Sequence, residues 1–409
     1  MKPIDASKEI NSLIKKQELI RNKSINLVSS ENLTSPEVRL AVSSDFMHRY
    51  MLSGTQQFDA IHRIAEQVGK ELFSIRYIDF RAISGHVADL IIMNALSKNG
   101  DNVMMFNDSQ GGHPIDDACL MLGRRPIFFG FNSEEYNIDI EKTIKRIEKE
   151  NPSLLVFNSA YLLFPHPINE ISKITDACIC YDASHPLGLI AGKQYPHPLK
   201  EGADVMIGGT QKTLWGTQKA LIMSDDFDVM NEIIDKSWRL KNPFAGNKHY
   251  HHIVGLAIAL CEFAEYGEEY AKQVIKNAKS LGQNLSNLGF KVLCPNKGFT
   301  ETQTIMVDVA SLGGGVVVRD LLDKANITTS ALQLPKDRKT QSKSGIRIGT
   351  PEVTRLGMKE SEMAEIAKFI KSLIIDNKDA KIISKEIAEF RNDFQTIYFC
   401  FRARKYGEG

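Results

Sequence analysis

The sequence predicts an α/β protein with a mostly parallel central sheet in a large domain and a smaller C-terminal α/β domain. Between about residues 70 and 260, short apolar segments alternate with longer segments of helical periodicity. After a long helical stretch, a second region contains three more apolar segments and two helical ones. Strands that alternate with helices favour a parallel sheet whose two faces are both covered.

The predicted elements follow in chain order. Residues 4–22 have the pattern of an amphipathic helix. Strands are predicted at residues 102–106, 125–129, 153–157, 178–181, 205–207 and 220–223, with helices at 87–97 and 138–150 between them. A long helix at 253–288 then leads to strands at 290–293, 304–307 and 345–348 and to helices at 318–325, 360–374 and 382–394.

These elements divide the chain into four segments. We expect an N-terminal arm at residues 1–45, a large domain with the central sheet at 46–270, a small C-terminal domain at 271–376, and a C-terminal helix and tail at 377–409. A chain of 409 residues is long enough to bury two cores.

The composition excludes several classes of function. A net charge of +1 with 25% charged residues gives no basic excess for nucleic acid or anionic membranes. The sequence has no apolar run of membrane-spanning length and no N-terminal signal peptide, so we expect a cytoplasmic protein. The six cysteines lack zinc-ligand spacing, and the neighbouring His249, His251 and His252 diverge in direction on a helix. No metal site is therefore predicted.

Two polar residues that follow neighbouring predicted strands are the most informative feature. Lys212 follows a strand that ends in Gly208 and Gly209, and Asp182 follows the preceding strand. This places an amine and a carboxylate at one edge of the sheet, where α/β proteins bind ligands. The pairing suits pyridoxal phosphate, because lysine forms the imine and the carboxylate keeps the ring nitrogen protonated. Such a lysine, taken alone, is more often a solvated surface charge, so the assignment depends on the surrounding motifs.

Three segments together resemble the serine hydroxymethyltransferase family, within the aspartate-aminotransferase-like (fold type I) pyridoxal phosphate enzymes. They are residues 27–36 (LVSSENLTSP), residues 182–185 (DASH) with 210–214 (TQKTL), and residues 344–351 (SGIRIGTP). The resemblance covers roughly residues 25–375. It implies the fold type I transferase architecture, pyridoxal 5'-phosphate as cofactor, a small-molecule amino acid and aldehyde as substrates, and an obligate homodimer with shared active sites.

The resemblance also implies the cofactor contacts. Lys212 matches the lysine that carries the cofactor as a Schiff base, Asp182 matches the partner of the ring nitrogen, and His113 matches the histidine that stacks on the ring. A helix that begins at Ser84 would bind the phosphate through its backbone amides. The other implied cofactor contacts are Gly85, His86, Ser159, Thr210 and His185, together with Gly246 and Asn247 from the neighbouring subunit.

The substrate contacts are implied in the same way. Arg347 matches the arginine that holds the substrate carboxylate, since a planar guanidinium makes two parallel hydrogen bonds to it. Ser30 and His185 match further contacts near this carboxylate, and Tyr50 matches a tyrosine from the neighbouring subunit. Lys212, His113 and Tyr50 are the expected catalytic residues. Tyr50 and His113 also admit structural roles, as a core aromatic residue and a helix cap.

The chain departs from the family where folate binds. Leu52 replaces the acid/base glutamate, Phe58 stands at the second tyrosine, and Leu332 replaces the asparagine that contacts the folate ring. Near the lysine, Gln211 replaces a histidine and Gln218 replaces an arginine. An unpaired polar group that is buried against leucine costs about 1–3 kcal/mol, so tetrahydrofolate is a doubtful cofactor.

We therefore predict an enzyme that cleaves or forms the Cα–Cβ bond of a serine- or threonine-like β-hydroxy-α-amino acid. It would be a folate-independent aldolase or transaldolase that passes through a glycine carbanion. One alternative is folate-dependent serine hydroxymethyl transfer. Others are a different fold type I reaction, such as transamination or decarboxylation, and a non-catalytic protein that keeps the fold. The presence of Lys212, Asp182 and Arg347 argues against the last of these.

Overall fold

The computed structural model describes residues 1–49, 54–239, 244, 246–337 and 343–405. The chain first forms α1 (Pro3–Asn22), β1 (Ile25–Asn26), α2 (Pro36–Val42), α3 (Gln56–Phe73), β2 (Tyr77–Asp79), α4 (Gly85–Leu96), β3 (Asn102–Met105), α5 (Asp116–Met121), β4 (Arg125–Phe128), β5 (Phe131–Asn132), β6 (Asn137–Ile138), α6 (Ile140–Glu150), β7 (Leu154–Phe157), α7 (Ile168–Ser172), β8 (Cys178–Asp182), α8 (Leu187–Ala191), β9 (Val205–Gly209), β10 (Ala220–Ser224) and α9 (Phe227–Ile234). It continues with α10 (Tyr250–Asn287), β11 (Lys291–Val292), β12 (Thr304–Asp308), α11 (Gly315–Lys324), β13 (Ile327–Thr328), β14 (Ser330–Leu332), β15 (Gly345–Gly349), α12 (Pro351–Arg355), α13 (Glu360–Ile374), α14 (Ala380–Arg391), β16 (Thr396–Ile397) and β17 (Arg404–Lys405).

Seven strands form the central sheet, in the order β2-β10-β9-β8-β7-β3-β4. The five strands from β9 to β4 are parallel, whereas β10 runs antiparallel to both β9 and β2. The predicted mostly parallel α/β sheet is therefore confirmed. The reversal at β10 is a difference from a purely parallel sheet, and it brings the chain back along β9 directly after the segment that contains Lys212.

Both faces of this sheet are buried, because successive residues of a strand point to opposite sides. Met104 of β3 lies in an apolar cluster with Leu256 and Leu260 of α10. Its neighbour Met105 lies in a second cluster, with Ile91 of α4 on the other face. Full burial on both faces explains why these strands occur in the sequence as continuous apolar runs.

A second, antiparallel sheet has the strand order β11-β12-β15-β14. Its core includes Leu281 and Leu285 from the C-terminal half of α10, so this one helix contributes to the cores beside both sheets. The segment after β1 also reaches this sheet, where Gly349 at the end of β15 donates a backbone hydrogen bond to the Leu27 carbonyl at 2.8 Å. A Cβ at Gly349 would lie 2.3 Å from the Ser29 Cα, so glycine permits this close approach.

The two ends of the chain differ in their packing. Helix α1 buries none of its residues. At the other end, Ile383 and Ile387 of α14 enter the core of the second sheet, and Ile397 of β16 is buried with Leu356. None of the helices within the described ranges combines the length and apolarity that a membrane span requires.

Candidate active site

Lys212 and Asp182 lie at the same edge of the central sheet. Asp182 ends β8 and is paired in register with Ile207 of the parallel neighbour β9, and Lys212 follows β9 in the loop to β10. The Asp182 carboxylate is 6% exposed, and one of its oxygens accepts a hydrogen bond from the Ser184 backbone amide at 2.8 Å. The carboxyl ends of parallel strands therefore bring the predicted amine and carboxylate together, as strand order alone would require.

Hydrogen bonds within the loop and to the segment after β8 hold the loop that carries Lys212. Thr213 donates through its hydroxyl to the His185 carbonyl and accepts from the Gly188 amide, each at 2.8 Å. Thr210 donates through its hydroxyl to the Thr217 carbonyl at 2.5 Å. The Thr210 hydroxyl hydrogen is therefore used within the loop, and the hydroxyl oxygen can still accept a hydrogen bond from a cofactor.

The environment of the Lys212 amine makes it easier to deprotonate. Burial, assisted by the nearby Arg347 and opposed by Asp182 and Asp89, lowers its pKa from 10.5 to about 8. Near pH 7, about a tenth of such amines are neutral, compared with about 0.03% at the usual pKa. A neutral amine is the form that attacks a carbonyl carbon.

His185 is a buried neutral imidazole beside these residues. It is 5% exposed, and its Nδ1 has no hydrogen-bond partner within the described part of the chain. Burial, together with the adjacent cations Lys212 and Arg347, holds its pKa well below the usual value. A buried ring nitrogen without a partner marks a place where a ligand atom can complete the hydrogen bonding.

The start of α4 provides a site for an anion. Ser84 caps this 12-residue helix by accepting a hydrogen bond from the Val87 amide at 3.2 Å. A Cβ at Gly85 would lie 3.0 Å from the Ser184 hydroxyl, so glycine keeps the first turn open toward the end of β8. Free backbone amides and the positive end of the helix dipole favour a phosphate at this position. His86, the next residue, is exposed.

His113 has a fixed backbone position. Its amide donates to the Asn158 carbonyl at 2.7 Å, and the Asn158 side chain donates to the His113 carbonyl at 2.6 Å. Its Nε2 lies 3.3 Å from Nδ1 of His86, and burial lowers its pKa. Ser159 follows Asn158 and forms a β-bridge with Gly112, so it lies next to His113.

Arg347 projects from β15 of the second sheet. Its Nη1 donates to the Ala160 carbonyl at 3.0 Å, and its guanidinium lies 4.9 Å from the centre of the Tyr161 ring. The residue is 9% exposed, and Nε is buried without a hydrogen-bond partner among the described residues. One side of the guanidinium is therefore anchored to the protein, and the Nε side remains for a carboxylate.

Asp89 is a site residue that the sequence analysis missed. It lies on α4, one turn after His86, and both of its carboxylate oxygens are buried and unpartnered within the described ranges. Ligand atoms of His86, Asp89 and His113 all lie within 4.8 Å of one another. Burial and the nearby Asp182 raise the pKa of Asp89 well above its usual value. The available signal was a lone acid among the buried apolar residues of a helix.

The structure brings only some of the remaining predicted residues to this region. Ser30 lines a cavity of about 710 Å³ together with Gln211 and Gln218. Gly246 is exposed, and Asn247 accepts a hydrogen bond from the His249 amide at 2.8 Å. Tyr50 and Leu52 lie outside the described residues.

Two substituted positions are packed into apolar surroundings. Phe58 on α3 is 4% exposed and stacks on Tyr250, with a ring-centroid separation of 3.8 Å. Leu332 on β14 is 1% exposed and belongs to an apolar cluster with Phe164 and Leu334. Neither side chain offers a polar group to a ligand.

These residues fit pyridoxal phosphate. The buried Lys212 amine, the Asp182 carboxylate and the unpartnered His185 nitrogen supply the groups that an aldehyde carbon, a ring nitrogen and a ring oxygen require. The open first turn of α4 at Gly85 supplies the phosphate site. All of them belong to one edge of the central sheet.

Known proteins resemble this chain over nearly its whole length. A family profile described as serine hydroxymethyltransferase matches residues 4–370. Proteins named serine hydroxymethyltransferase from Korarchaeum cryptofilum and Archaeoglobus fulgidus are 37% and 40% identical, covering 98% and 96% of this chain and 98% and 92% of their own. A crystal structure of the L-threonine transaldolase from Pseudomonas fluorescens, 25% identical, superimposes with a TM-score of 0.91 over 97% of this chain and 94% of that one. The chain belongs to the serine hydroxymethyltransferase family of pyridoxal-phosphate-dependent enzymes.

Proposed function

We propose that this enzyme cleaves and forms the Cα–Cβ bond of a β-hydroxy-α-amino acid, and that it does so without folate. The products of cleavage are glycine and an aldehyde, and in a transaldolase a second aldehyde takes the place of the first. The observation that carries this proposal is the contrast between two parts of the site. Lys212 lies near both Asp182 of the central sheet and Arg347 of the second sheet, whereas Leu332 presents only apolar atoms at the position implied for folate.

The carboxylate end of the amino acid is held by Arg347. The Nη1 bond to Ala160 and the ring of Tyr161 fix the plane of the guanidinium, so its remaining donors point in one direction. Two parallel hydrogen bonds to a carboxylate fix the position and the rotation of the substrate about Cα. Arg347 would therefore orient the bonds at Cα relative to a bound cofactor.

Proton transfers fall to groups whose pKa is lowered by burial. The bound cofactor supplies an electron-withdrawing ring that stabilises a carbanion at Cα. Lys212 would hold the cofactor, and with a pKa of about 8 its free amine would take up or release a proton near neutral pH. His113 is neutral because burial lowers its pKa, and it is the candidate within the described residues that removes the β-hydroxyl proton. Tyr50 of the neighbouring subunit is the other candidate.

The assembly that we propose is a homodimer with shared sites. Gly246 is exposed in the single chain, and a Cβ there would meet no atom within 4 Å. This open backbone suits the phosphate contact that the family resemblance implies from a neighbouring subunit. Mixing a Lys212→Ala protein with an Asn247 variant tests this arrangement, since shared sites regain activity in the mixed dimer and separate sites do not.

The experiment that tests the reaction measures glycine release by the cofactor-loaded enzyme with and without tetrahydrofolate. We expect glycine from L-serine or L-threonine-like substrates without folate, more of it when an acceptor aldehyde is supplied, and none from Lys212→Ala. A large folate-dependent increase would overturn the folate-independent part. Formation of a keto acid in place of glycine would overturn the bond-cleavage part and point to transamination.

Folate-dependent serine hydroxymethyl transfer is the second candidate. The names of the archaeal relatives favour it, because these proteins are called serine hydroxymethyltransferases and match almost the full chain. The name of the structural neighbour, an L-threonine transaldolase, favours the folate-independent reaction. The buried apolar setting of Leu332 supports the folate-independent reaction.

A further inference from the structure

A half-buried asparagine connects the main chain of Lys212 to the long helix α10. The Asn32 side-chain amide donates to the Lys212 carbonyl and to the Tyr270 hydroxyl oxygen, each at 2.8 Å. Its own side-chain oxygen accepts from the Leu33 amide at 2.9 Å. An amide group has two hydrogens to donate, so Asn32 has committed both. Neither aspartate nor leucine, which have similar shapes, can make this pair of bonds.

Tyr270 extends the connection to the segment that carries Arg347. This tyrosine is fully buried, and its hydroxyl donates to the Pro351 carbonyl at 3.1 Å. Pro351 lies two residues after the end of β15, the strand that contains Arg347. Burial raises the pKa of Tyr270, so the phenol keeps its hydrogen for this bond. The hydroxyl therefore accepts one hydrogen bond, from Asn32, and donates one, to Pro351.

The Tyr270 ring meets aromatic rings from two other parts of the chain. Trp215, three residues after Lys212, meets the ring edge-on at 4.7 Å, and Phe399 of the C-terminal segment meets it at 5.4 Å. Arg355 lies 3.9 Å from the centre of the Trp215 ring and donates to the Phe399 carbonyl. The C-terminal segment therefore closes the surroundings of Tyr270.

We propose that Asn32 and Tyr270 are positioning residues that set the placement of Lys212 relative to Arg347, and that residues 396–400 lock them in place. Lys212 follows a strand of the central sheet, whereas Arg347 belongs to the second sheet. The amine and the guanidinium act on opposite ends of one small amino acid, so their separation has to be fixed. The path Lys212–Asn32–Tyr270–Pro351 links the two segments by three hydrogen bonds.

The inference rests on the proposed function in one respect, namely that Lys212 carries the cofactor. Displacing a reacting group by about 1 Å lowers rates by about a hundredfold, so a small relaxation of this path is measurable. A general loss of packing would instead lower stability without a specific effect on the lysine.

Asn32→Leu and Tyr270→Phe test the path, and Asn277→Leu is the matched control. Asn277 is fully buried and also commits both amide hydrogens, to the Thr354 hydroxyl and the Met358 carbonyl, each at 2.9 Å. Because Asn277 is more buried than Asn32, its replacement should destabilise the fold at least as much. It contacts neither Lys212 nor Tyr270 in the hydrogen bonds of the described chain.

The first readout is the pH titration of the absorbance that the cofactor gains when it is bound to Lys212. We expect Asn32→Leu to shift the pKa of this chromophore and to weaken cofactor retention about tenfold or more, with kcat/KM falling about a hundredfold. Tyr270→Phe should act in the same direction and less strongly. Asn277→Leu should lower the melting temperature and leave the chromophore pKa at the wild-type value. The proposal is overturned if the chromophore pKa of Asn32→Leu equals that of the wild type. It is also overturned if Asn277→Leu shifts this pKa as much as Asn32→Leu does.

The second readout needs no cofactor. Amide hydrogen exchange in segments 205–220 and 345–351 should become faster in Asn32→Leu and in a protein that ends at residue 395. In Asn277→Leu, exchange in segment 205–220 should stay at the wild-type rate. Unchanged exchange in both segments would reject the positioning path. A different result is that the wild-type protein forms no chromophore with the cofactor while the variants still show this exchange pattern. That result would refute the proposed function and leave the path supported.

Discussion

Lys212 should destabilise the cofactor-free protein, because its ammonium form is buried. Its pKa is about 8 in the folded chain, against a usual value of 10.5. At 1.36 kcal/mol per pKa unit, the folded state loses about 3 kcal/mol near pH 7, where lysine is protonated both folded and unfolded. Lys212→Met keeps the length of the side chain and removes the charge, so this variant should be more stable than the wild type by about that amount.

The pH dependence follows from the direction of the shift. Between pH 8 and 10.5 the folded state has released the proton and the unfolded state still binds it, so wild-type stability rises with pH in this window. The advantage of Lys212→Met should therefore fall from about 3 kcal/mol near pH 7 to about 1.4 kcal/mol near pH 9.5, and vanish above pH 10.5. The two proteins differ in one titrating group, so the other ionisations cancel in the comparison.

Urea unfolding of the cofactor-free proteins at both pH values measures this difference. Lys385→Met is the control, since it removes an exposed lysine and should change the unfolding free energy by no more than about 0.5 kcal/mol at either pH. The reasoning is refuted if Lys212→Met is less stable than the wild type near pH 7. It is also refuted if the difference is the same at both pH values.

Three further substitutions have expected outcomes. Arg347→Lys should lower kcat/KM about a hundredfold, mainly through KM, since an ammonium cannot make two parallel bonds to the carboxylate; steady-state kinetics with a fixed aldehyde acceptor checks this. Glu262→Leu should cost about 3–5 kcal/mol in chemical unfolding, because it leaves the fully buried Arg355, 3.5 Å from the Glu262 carboxylate, without its counter-ion. Asp89→Asn should stabilise the protein near pH 7. Burial raises the pKa of Asp89, so above the unfolded-state pKa the unfolded chain releases a proton more readily than the folded chain, and the wild type loses stability. Below about pH 4 the carboxyl group is protonated in both states. The difference in melting temperature between wild type and variant should therefore disappear there.

The elements that the sequence predicted best are those buried on both sides. Strands β8 and β9 occur as continuous apolar runs that end in polar or glycine residues, and their bounds agree with prediction within two residues. The three-residue strands β2 and β14 were missed, because so short a segment has no period to detect. Helix α3 was also missed, although its apolar positions bury Phe58, Ala65 and Phe73 on one face.

In the site, some contacts follow from strand order, and others depend on tertiary packing that the sequence pattern does not reveal. The meeting of Asp182 and Lys212 was predictable, because the ends of neighbouring parallel strands share an edge. The contact between Asn32 and Tyr270 joins residues 238 positions apart, and it depends on how the N-terminal segment crosses α10. Periodicity and strand order describe local structure and sheet edges, and they contain no information about such a crossing.

Burial changes the pKa of the titratable groups in the site, and their charges in turn affect the binding of an amino acid. The described site contains two cations, Lys212 and Arg347, each of which has a pKa lowered by burial. His113 and His185 are neutral for the same reason, so they add hydrogen-bonding nitrogens without adding charge. An amino acid carboxylate at Arg347 removes one of the causes that lower the Lys212 pKa. A carboxylate bound there would therefore favour the protonated form of the free lysine.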